Sequence, residues 1–516
     1  MIRPMKRLDP RRLLFDRDVM GLMGLTLLVK PIGLLNQVLI ARWFGAGEEL
    51  DAYALAYFLV TFGDGTISHV FKGAMAPYLI QLKRAFDRLT FARFQNGVLA
   101  LFLGSGALWL LGLVLAAGAV VSVVGPELPP VSRDLTVRMM VLLALPALVL
   151  VANNLGIAVL NLHQFFRLAG AMPLLNSLAM LAALLLWHDT LGIWALPAGF
   201  ALSQVLQWPL IHLRAWRVRV LAAARPTLAR RDLRRVGDLI GLVLLAQILL
   251  MVNAFLDKWF ATGLEAGSIS SLTYAMTLTN FGLLLFASSL MTVMYPRMSE
   301  AISAGDLAGC SDYIRQNLAR LAHLVVPASL ALALAGPEIV RVLFQRGAFD
   351  AADALRTSGT TTMYLLGLPA LIINTLVARI FHSLQLLRDK VWLAVQYLAT
   401  NALLNFLLIG PLQVRGLALA STLAINLHLV LSLWILHRRR SGLATAPLLA
   451  IVGRSYLLGI GAALIYWLLP LQNLPSAAAA TPLLTVVGVG GLKAAVVVGV
   501  YGVLLGCWRS LRAVTK

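Results

Sequence analysis

The stretch "LLVKPIGLLNQVLIARWFGAG", residues 27–47, decides how the chain is read. It is apolar along almost its whole length, yet Lys30 stands in its middle beside Pro31. A hydrocarbon core of about 30 Å needs some 20 apolar residues as a helix. A charge at the centre of such a helix costs at least about 2.5–3.5 kcal/mol, so it normally faces a partner or a wet cavity. The stretch is therefore read as a spanning helix with a functional interruption.

The rest of the chain supports the membrane reading. It has 516 residues, 60% hydrophobic and only 13% charged, with mean hydropathy +0.84. A soluble domain carries about 25% charged residues. The apolar runs lack the period-two alternation of barrel strands, so a helical bundle is the architecture that satisfies every backbone group inside lipid. About fourteen runs can be marked, at 19–44, 51–82, 96–124, 138–162, 165–187, 190–215, 236–262, 267–296, 316–343, 354–382, 390–411, 414–436, 447–470 and 480–507.

The net charge of +21 would suggest nucleic acid in a soluble protein. Here Lys and Arg gather in alternate loops, as the positive-inside rule demands, and no nucleic-acid partner is expected. The basic side carries the first residues, "KRAFDR" (83–88), the arginines between 214 and 235, Arg388, Lys390, "RRR" (438–440) and the C-terminal Arg509, Arg512 and Lys516. The other side carries "GAGEELD" (45–51), "WHDT" (187–190), "LEAGS" (264–268) and "LQNLPSAAAA" (471–480). Both termini of the multi-pass chain are expected in the cytoplasm. The first apolar run is followed by no small-residue cleavage site and is read as an uncleaved start. Cys310 and Cys507 make neither a disulfide framework nor a metal spacing.

The chain also echoes itself. "RWFGAGEELDAYALAY" (42–57) is answered by "KWFATGLEAGSISSLTYA" (258–275), and "HQFFR" (163–167) by "LQLLR" (384–388). Both offsets are roughly 220 residues, room for six helices. The expected organisation is a six-helix lobe over 1–215, a basic linker at 216–235, a second six-helix lobe over 236–440 and a final helix pair over 441–516.

Further polar residues interrupt the apolar runs. Asp64 lies in "FGDGT" (62–66) at a depth similar to Lys30, so a Lys30–Asp64 ion pair is expected; His69 and Lys72 follow on the same helix. The seventh run carries Asn253, Asp257 and Lys258, the eighth carries Thr277, and the last carries Lys493. The cations suit an anionic substrate, although lysine lacks the bidentate fork of arginine. No Walker-type phosphate loop is present, so transport would draw on a gradient or potential, and neither a cofactor nor a metal is expected.

"IARWFGAGEELDAYALAY" (40–57), "LDKWFATGLEAGSISSLTYA" (256–275), "MYPRMSEA" (294–301), "GPEIVRVLFQRGAFD" (336–350) and "NFLLIGPLQVRGLALA" (405–420) resemble the MurJ/MviN lipid II flippase family over nearly the whole chain. The resemblance implies fourteen helices in two lobes plus a final pair bearing a groove for the lipid tail, where Lys493 is placed. It implies a flippase for a polyprenyl-pyrophosphate-linked glycan, not an enzyme, with a central cavity drawn from Lys30, Asp64, His69, Lys72, Asn253, Asp257, Lys258 and Thr277. Envelope glycan synthesis enzymes are the further partners this reading allows. Where the family carries a second arginine in its first helix, this chain has Asn36 and Gln37; where the eighth helix carries an Asp-Arg pair, it has Met276 and Thr277. Lipid II thus stands beside an exopolysaccharide or O-unit precursor as substrate. A small-molecule antiporter of the same superfamily and a membrane glycan polymerase or ligase are the alternatives.

Overall fold

The computed structural model describes residues 17–163, 165–217, 225–284, 307–384, 386–439, 446–469 and 483–514. The basic first residues, residues 218–224 of the linker, "MYPRMSEA" (294–301) and the loop at 471–480 lie outside the described residues. Among the described residues all regular structure is helical, and nine stretches are long and apolar enough to cross a membrane. Two of these, Phe166–Arg217 and Arg388–Arg438, have 52 and 51 residues. At about 1.5 Å rise per residue each is twice the length one crossing needs. Each folds back as a hairpin: the first turns at Gly192, and the second at Gln413, whose backbone leaves the helical region at φ 51 and ψ −137.

The helices, in chain order, are α1 (Arg17–Phe44), α2 (Glu48–Val70), α3 (Ala76–Ala85), α4 (Arg88–Leu115), α5 (Ala117–Val124), α6 (Pro130–Leu162), α7 (Phe166–Leu191) and α8 (Ala195–Arg217). They continue with α9 (Arg230–Ala261), α10 (268–284), α11 (Leu307–Leu334), α12 (Gly336–Phe344), α13 (Ala351–Ser383), α14 (Leu387–Arg438), α15 (Ala446–Leu468) and α16 (Leu483–Val514). A π-turn, Phe71–Met75, joins α2 to α3 without a break in direction.

Two compact units result, Met1–Phe44 with Glu48–Met251, and Gly45–Gly47 with Val252–Lys516. The division falls inside α9, between Met251 and Val252. The reason is local: Val236 belongs to the core of the first unit, packed among Val70, Phe71, Phe102 and Val151. In that unit α2 packs on α6, α1 on α7, α7 on α8, and α4 on α6. In the second unit α13 packs on both α11 and α14, and the final pair α15–α16 packs on α11. Its core is the aliphatic cluster of Leu321, Val325, Leu368, Ile372, Leu376 and Leu433.

The internal echo is present in the helix order. A 28-residue helix (α4, α11) is followed by a short one (α5, α12) and then a 33-residue helix with an internal proline (α6 with Pro146, α13 with Pro369). Even the turns match. Phe165 N–H donates to Leu160 O at 2.9 Å after α6, and Leu386 N–H donates to Phe381 O at 2.9 Å after α13. These are the "HQFFR" and "LQLLR" pieces.

The "FGAG" turn has its own physical basis. Gly45 has φ +62, and a Cβ there would lie 2.6 Å from Ala348 O; only glycine meets both demands. The Tyr274 hydroxyl donates to Gly45 O at 3.0 Å, and Ala46 N–H donates to Asp353 Oδ2 at 3.1 Å. These partners explain why Gly45–Gly47 count with the second unit.

Candidate functional site

Each unit holds one carboxylate among neutral amides and hydroxyls of neighbouring helices. In the first unit this is Asp64, 8% exposed on α2. Asn154 Nδ2, reaching from α6, donates to both carboxylate oxygens at 3.1 and 2.9 Å. Ser68, one turn further along α2, donates its hydroxyl to Oδ1 at 2.8 Å. The helix is shaped for this: a Cβ on Gly63 would lie 2.4 Å from Trp109 Cδ1, so the indole of α4 rests on the bare glycine backbone. Just beyond, the π-turn Phe71–Met75 widens the helix around Lys72, an irregularity frequent at functional sites.

The expected Lys30–Asp64 ion pair is not formed. Three hydrogen bonds from neutral donors already serve the carboxylate, and Lys30 lies exposed on α1. His69 and Lys72 are exposed as well. The His69 ring nitrogen Nδ1 stands 2.6 Å from Gly65 O. Asn36, where the family resemblance implies an arginine, is buried and donates to Ser177 O of α7 at 2.9 Å. It ties two helices together.

In the second unit the corresponding carboxylate is Asp257 of α9, which is half-buried. Oδ1 accepts from Asn405 Nδ2 at 2.8 Å and Oδ2 accepts from Ser421 Oγ at 3.2 Å. Asn405 Nδ2 also donates to Asn401 Oδ1 at 2.9 Å, and Asn401 Nδ2 donates to Ser421 Oγ at 2.9 Å. Asn401, Asn405 and Ser421 come from the two halves of the α14 hairpin, which its turn at Gln413 brings side by side. Asn253, one helical turn before Asp257, is buried and bonded to Tyr397. Asn405 Oδ1 and Asn253 Oδ1 are buried acceptors with no partner.

A carboxylate held among neutral groups in hydrocarbon is expensive as a bare anion. Asp257, Asn401, Asn405 and Ser421 form one hydrogen-bonded cluster, in which Asn405 Oδ1 keeps unused lone pairs. Such a set is suited to take a proton or a small oxygen-seeking cation. Lys258 is half-buried next in sequence, and Thr277 donates its hydroxyl to Thr273 O of its own helix at 2.9 Å.

Lys493 is set apart from both sites. It is 8% exposed, and its Nζ lies 2.6 Å from Glu338 Oε1 of α12. It packs inside the second unit and does not line an open groove, because its charge is matched by a carboxylate that is itself buried. Glu338, Asn154, Ser68, Asn401, Asn405 and Ser421 were not among the residues singled out from the sequence. The available signal was asparagine or serine inside apolar runs, as in "VANNLG" (151–156) and "TNALLNFLL" (400–408), where Asn401 and Asn405 share a helix face.

Comparison with known proteins places this architecture. The sequence profile of the family described as lipid II flippase MurJ matches residues 40–478. The probable lipid II flippase MurJ of Synechocystis sp. is 26% identical over 83% of this chain and 82% of its own length. The lipid II flippase MurJ of Burkholderia cenocepacia is 26% identical over 78% and 80%. Among solved structures, lipid II flippase MurJ in an inward closed conformation superposes with TM-score 0.76 at 18% identity, covering 96% of this chain and 100% of the other. An inward-facing MATE family multidrug transporter of the MOP superfamily gives TM-score 0.68 at 14% identity, covering 82% and 98%. These two likenesses concern the fold; the profile match, which spans most of the sequence, concerns descent. The chain belongs to the lipid II flippase MurJ family.

Proposed function

We propose that the chain translocates a polyprenyl-pyrophosphate-linked glycan, with lipid II as the leading substrate, across the bacterial cytoplasmic membrane by alternating access. It works as a transporter and carries no catalytic chemistry of its own. The observation that carries this reading is the family match over residues 40–478. The exposed cations Lys30 and Lys72 take the pyrophosphate. Both termini face the cytoplasm, by the loop charges.

The two amide-bonded carboxylates, Asp64 and Asp257, divide the labour. Asp64 holds α2 to α6 through Asn154 and stays in that role throughout the cycle. Asp257, with its unused oxygen acceptors, is the coupling group, taking up a proton or a monovalent cation in one state and releasing it in another. A gradient can then do work on the glycan lipid without ATP.

A related lipid-linked glycan is the second reading. Asn36 favours it, because a side chain spent on a helix–helix hydrogen bond contributes no charge where the family resemblance implies an arginine.

The test is complementation in a strain depleted of its own lipid II flippase, with membrane levels measured in parallel. Wild-type chain should restore growth. Lys30→Ala should abolish rescue at normal protein level, and Lys30→Arg should keep part of it. Failure of the wild-type chain to rescue, while it restores export of another lipid-linked glycan, would move the substrate to the second reading. Full rescue by Lys30→Ala would reject the pyrophosphate role of Lys30.

A further inference from the structure

The two ends of the α14 hairpin meet in a concavity that the transport reading leaves unused. Its volume is about 490 Å³, and its walls are Asp389 and Trp392 at the start of α14 and Trp434, Ile435, Arg438 and Arg439 at its end. Trp392 is 53% exposed and Trp434 43% exposed. The charges are unequally engaged. Arg439 gives its guanidinium to Asp389 at 2.7 Å. Arg438 lies with Cζ 5.1 Å from the centroid of the Trp434 ring, and among the described residues no carboxylate pairs with it. The walls therefore carry one uncompensated positive charge, held over an aromatic face.

Position determines what such a concavity meets. Both apolar halves of α14 stop here, so the concavity lies at the headgroup level of the bilayer. Tryptophan favours that level because its ring is apolar and its N–H needs a polar partner. A guanidinium stacked on an indole keeps its outer N–H groups free, and its planar fork matches two phosphate oxygens. Basic pockets between spanning helices on the cytoplasmic side are suited to anionic lipid headgroups. The loop charges put this end on that side.

We propose that this concavity binds the phosphate headgroup of an anionic membrane lipid. Arg438 takes the phosphate oxygens, the Trp392 and Trp434 indoles take the glycerol or first chain carbons, and the Arg439–Asp389 pair holds the two helix ends at the right separation. The phosphate has two sources, a bulk anionic phospholipid or a polyprenyl phosphate. The site does not rest on the identity of the transported glycan.

Native mass spectrometry of the full chain, released from detergent with added lipid, tests this. The probes are phosphatidylglycerol, phosphatidylcholine and a polyprenyl monophosphate. Wild-type protein should retain phosphatidylglycerol in preference to phosphatidylcholine. Arg438→Gln should weaken the tightest phosphatidylglycerol binding about fivefold, the effect of one cation at an anionic surface. Arg438→Lys should recover part of it, and Trp434→Leu should weaken it while leaving every charge in place. Should Arg438→Gln fail to fold, the last two variants carry the comparison. Displacement of phosphatidylglycerol by the polyprenyl phosphate from wild type, but not from Arg438→Lys, assigns the site to the polyprenyl lipid; persistence of phosphatidylglycerol assigns it to bulk lipid. Equal retention of phosphatidylglycerol by wild type and all three variants, or equal retention of the two phospholipids by wild type, overturns the proposal.

Discussion

Lys493→Met should be among the most damaging single changes in the second unit, and the loss should be reversed by a second change at Glu338. The two side chains are 10% and 3% exposed, and Nζ to Oε1 is 2.6 Å. The other carboxylate oxygen, Oε2, has no partner at all. Space around Glu338 is tight: a Cβ on Gly490, one turn before Lys493, would come within 3.1 Å of Glu338 Cβ. Removing Lys493 therefore leaves a buried carboxylate without its cation. Breaking one side of a buried pair costs about 3–5 kcal/mol, whereas replacing both partners with apolar residues is often neutral or stabilising by about 1–4 kcal/mol. At about 1.4 kcal/mol per factor of ten, the single variant should lose at least a hundredfold in its folded-to-unfolded ratio. The double variant Glu338→Leu with Lys493→Met should return to wild-type stability or exceed it. Unfolding of the purified chain in mixed micelles of rising SDS content, followed by tryptophan fluorescence, measures all four members of the cycle. A Lys493→Met variant as stable as wild type, or a double variant less stable than both singles, would refute the reasoning.

Other changes separate the remaining roles. Asp257→Asn should fold and insert normally yet transport poorly and lose its dependence on the coupling gradient, checked by flipping in proteoliposomes with and without an imposed potential. Asp64→Leu should lower the protein level in the membrane, because Asn154 and Ser68 lose a shared acceptor, while Asp64→Asn should keep most of it; quantitative blotting decides. Gly63→Val should be poorly tolerated, since its Cβ would sit 2.4 Å from Trp109, and Trp109→Ala should relieve the defect in level. At the end of α6, burial and the nearby Lys83 push His163 down to about 4. Its unfolded form binds the proton first, so this contribution to stability is complete above about pH 6.5 and fades as pH falls toward 4. His163→Gln should flatten the stability profile in that window, read from thermal midpoints against pH.

The helical bundle was legible because one physical demand dominates. Backbone groups in lipid must bond internally, so the length of each apolar run announces a helix without any knowledge of its neighbours. The repeat was legible for a similar reason: "HQFFR" and "LQLLR" keep the local turn chemistry that ends α6 and α13, and local chemistry is written in adjacent residues. The short helices α5 and α12 were merged into longer runs or passed over, because an apolar stretch does not show where its axis breaks.

The sites were legible only as far as charge alone could point. Asp64, Asp257 and Lys493 stood out by being ionisable inside apolar runs. Their partners did not, because a partner is chosen by the rotation of one helix against another. Asn154 is 90 residues from Asp64, and Glu338 is 155 from Lys493. Pairing Lys30 with Asp64 assumed that a buried carboxylate must seek a cation. Asp64 and Asp257 answer it otherwise, with neutral amides and hydroxyls around the carboxylate. That choice has a functional consequence. A carboxylate fastened to a lysine has its charge cancelled permanently, as at Glu338, and can only hold helices together. One surrounded by neutral donors keeps a charge that can be cancelled and restored by an ion from either side of the membrane. Asp64 and Asp257 share that electrostatic setting. Of the two, it is the Asp257 cluster that keeps partnerless side-chain oxygens beside the carboxylate, at Asn405 and Asn253, which is why the coupling role is placed in the second unit.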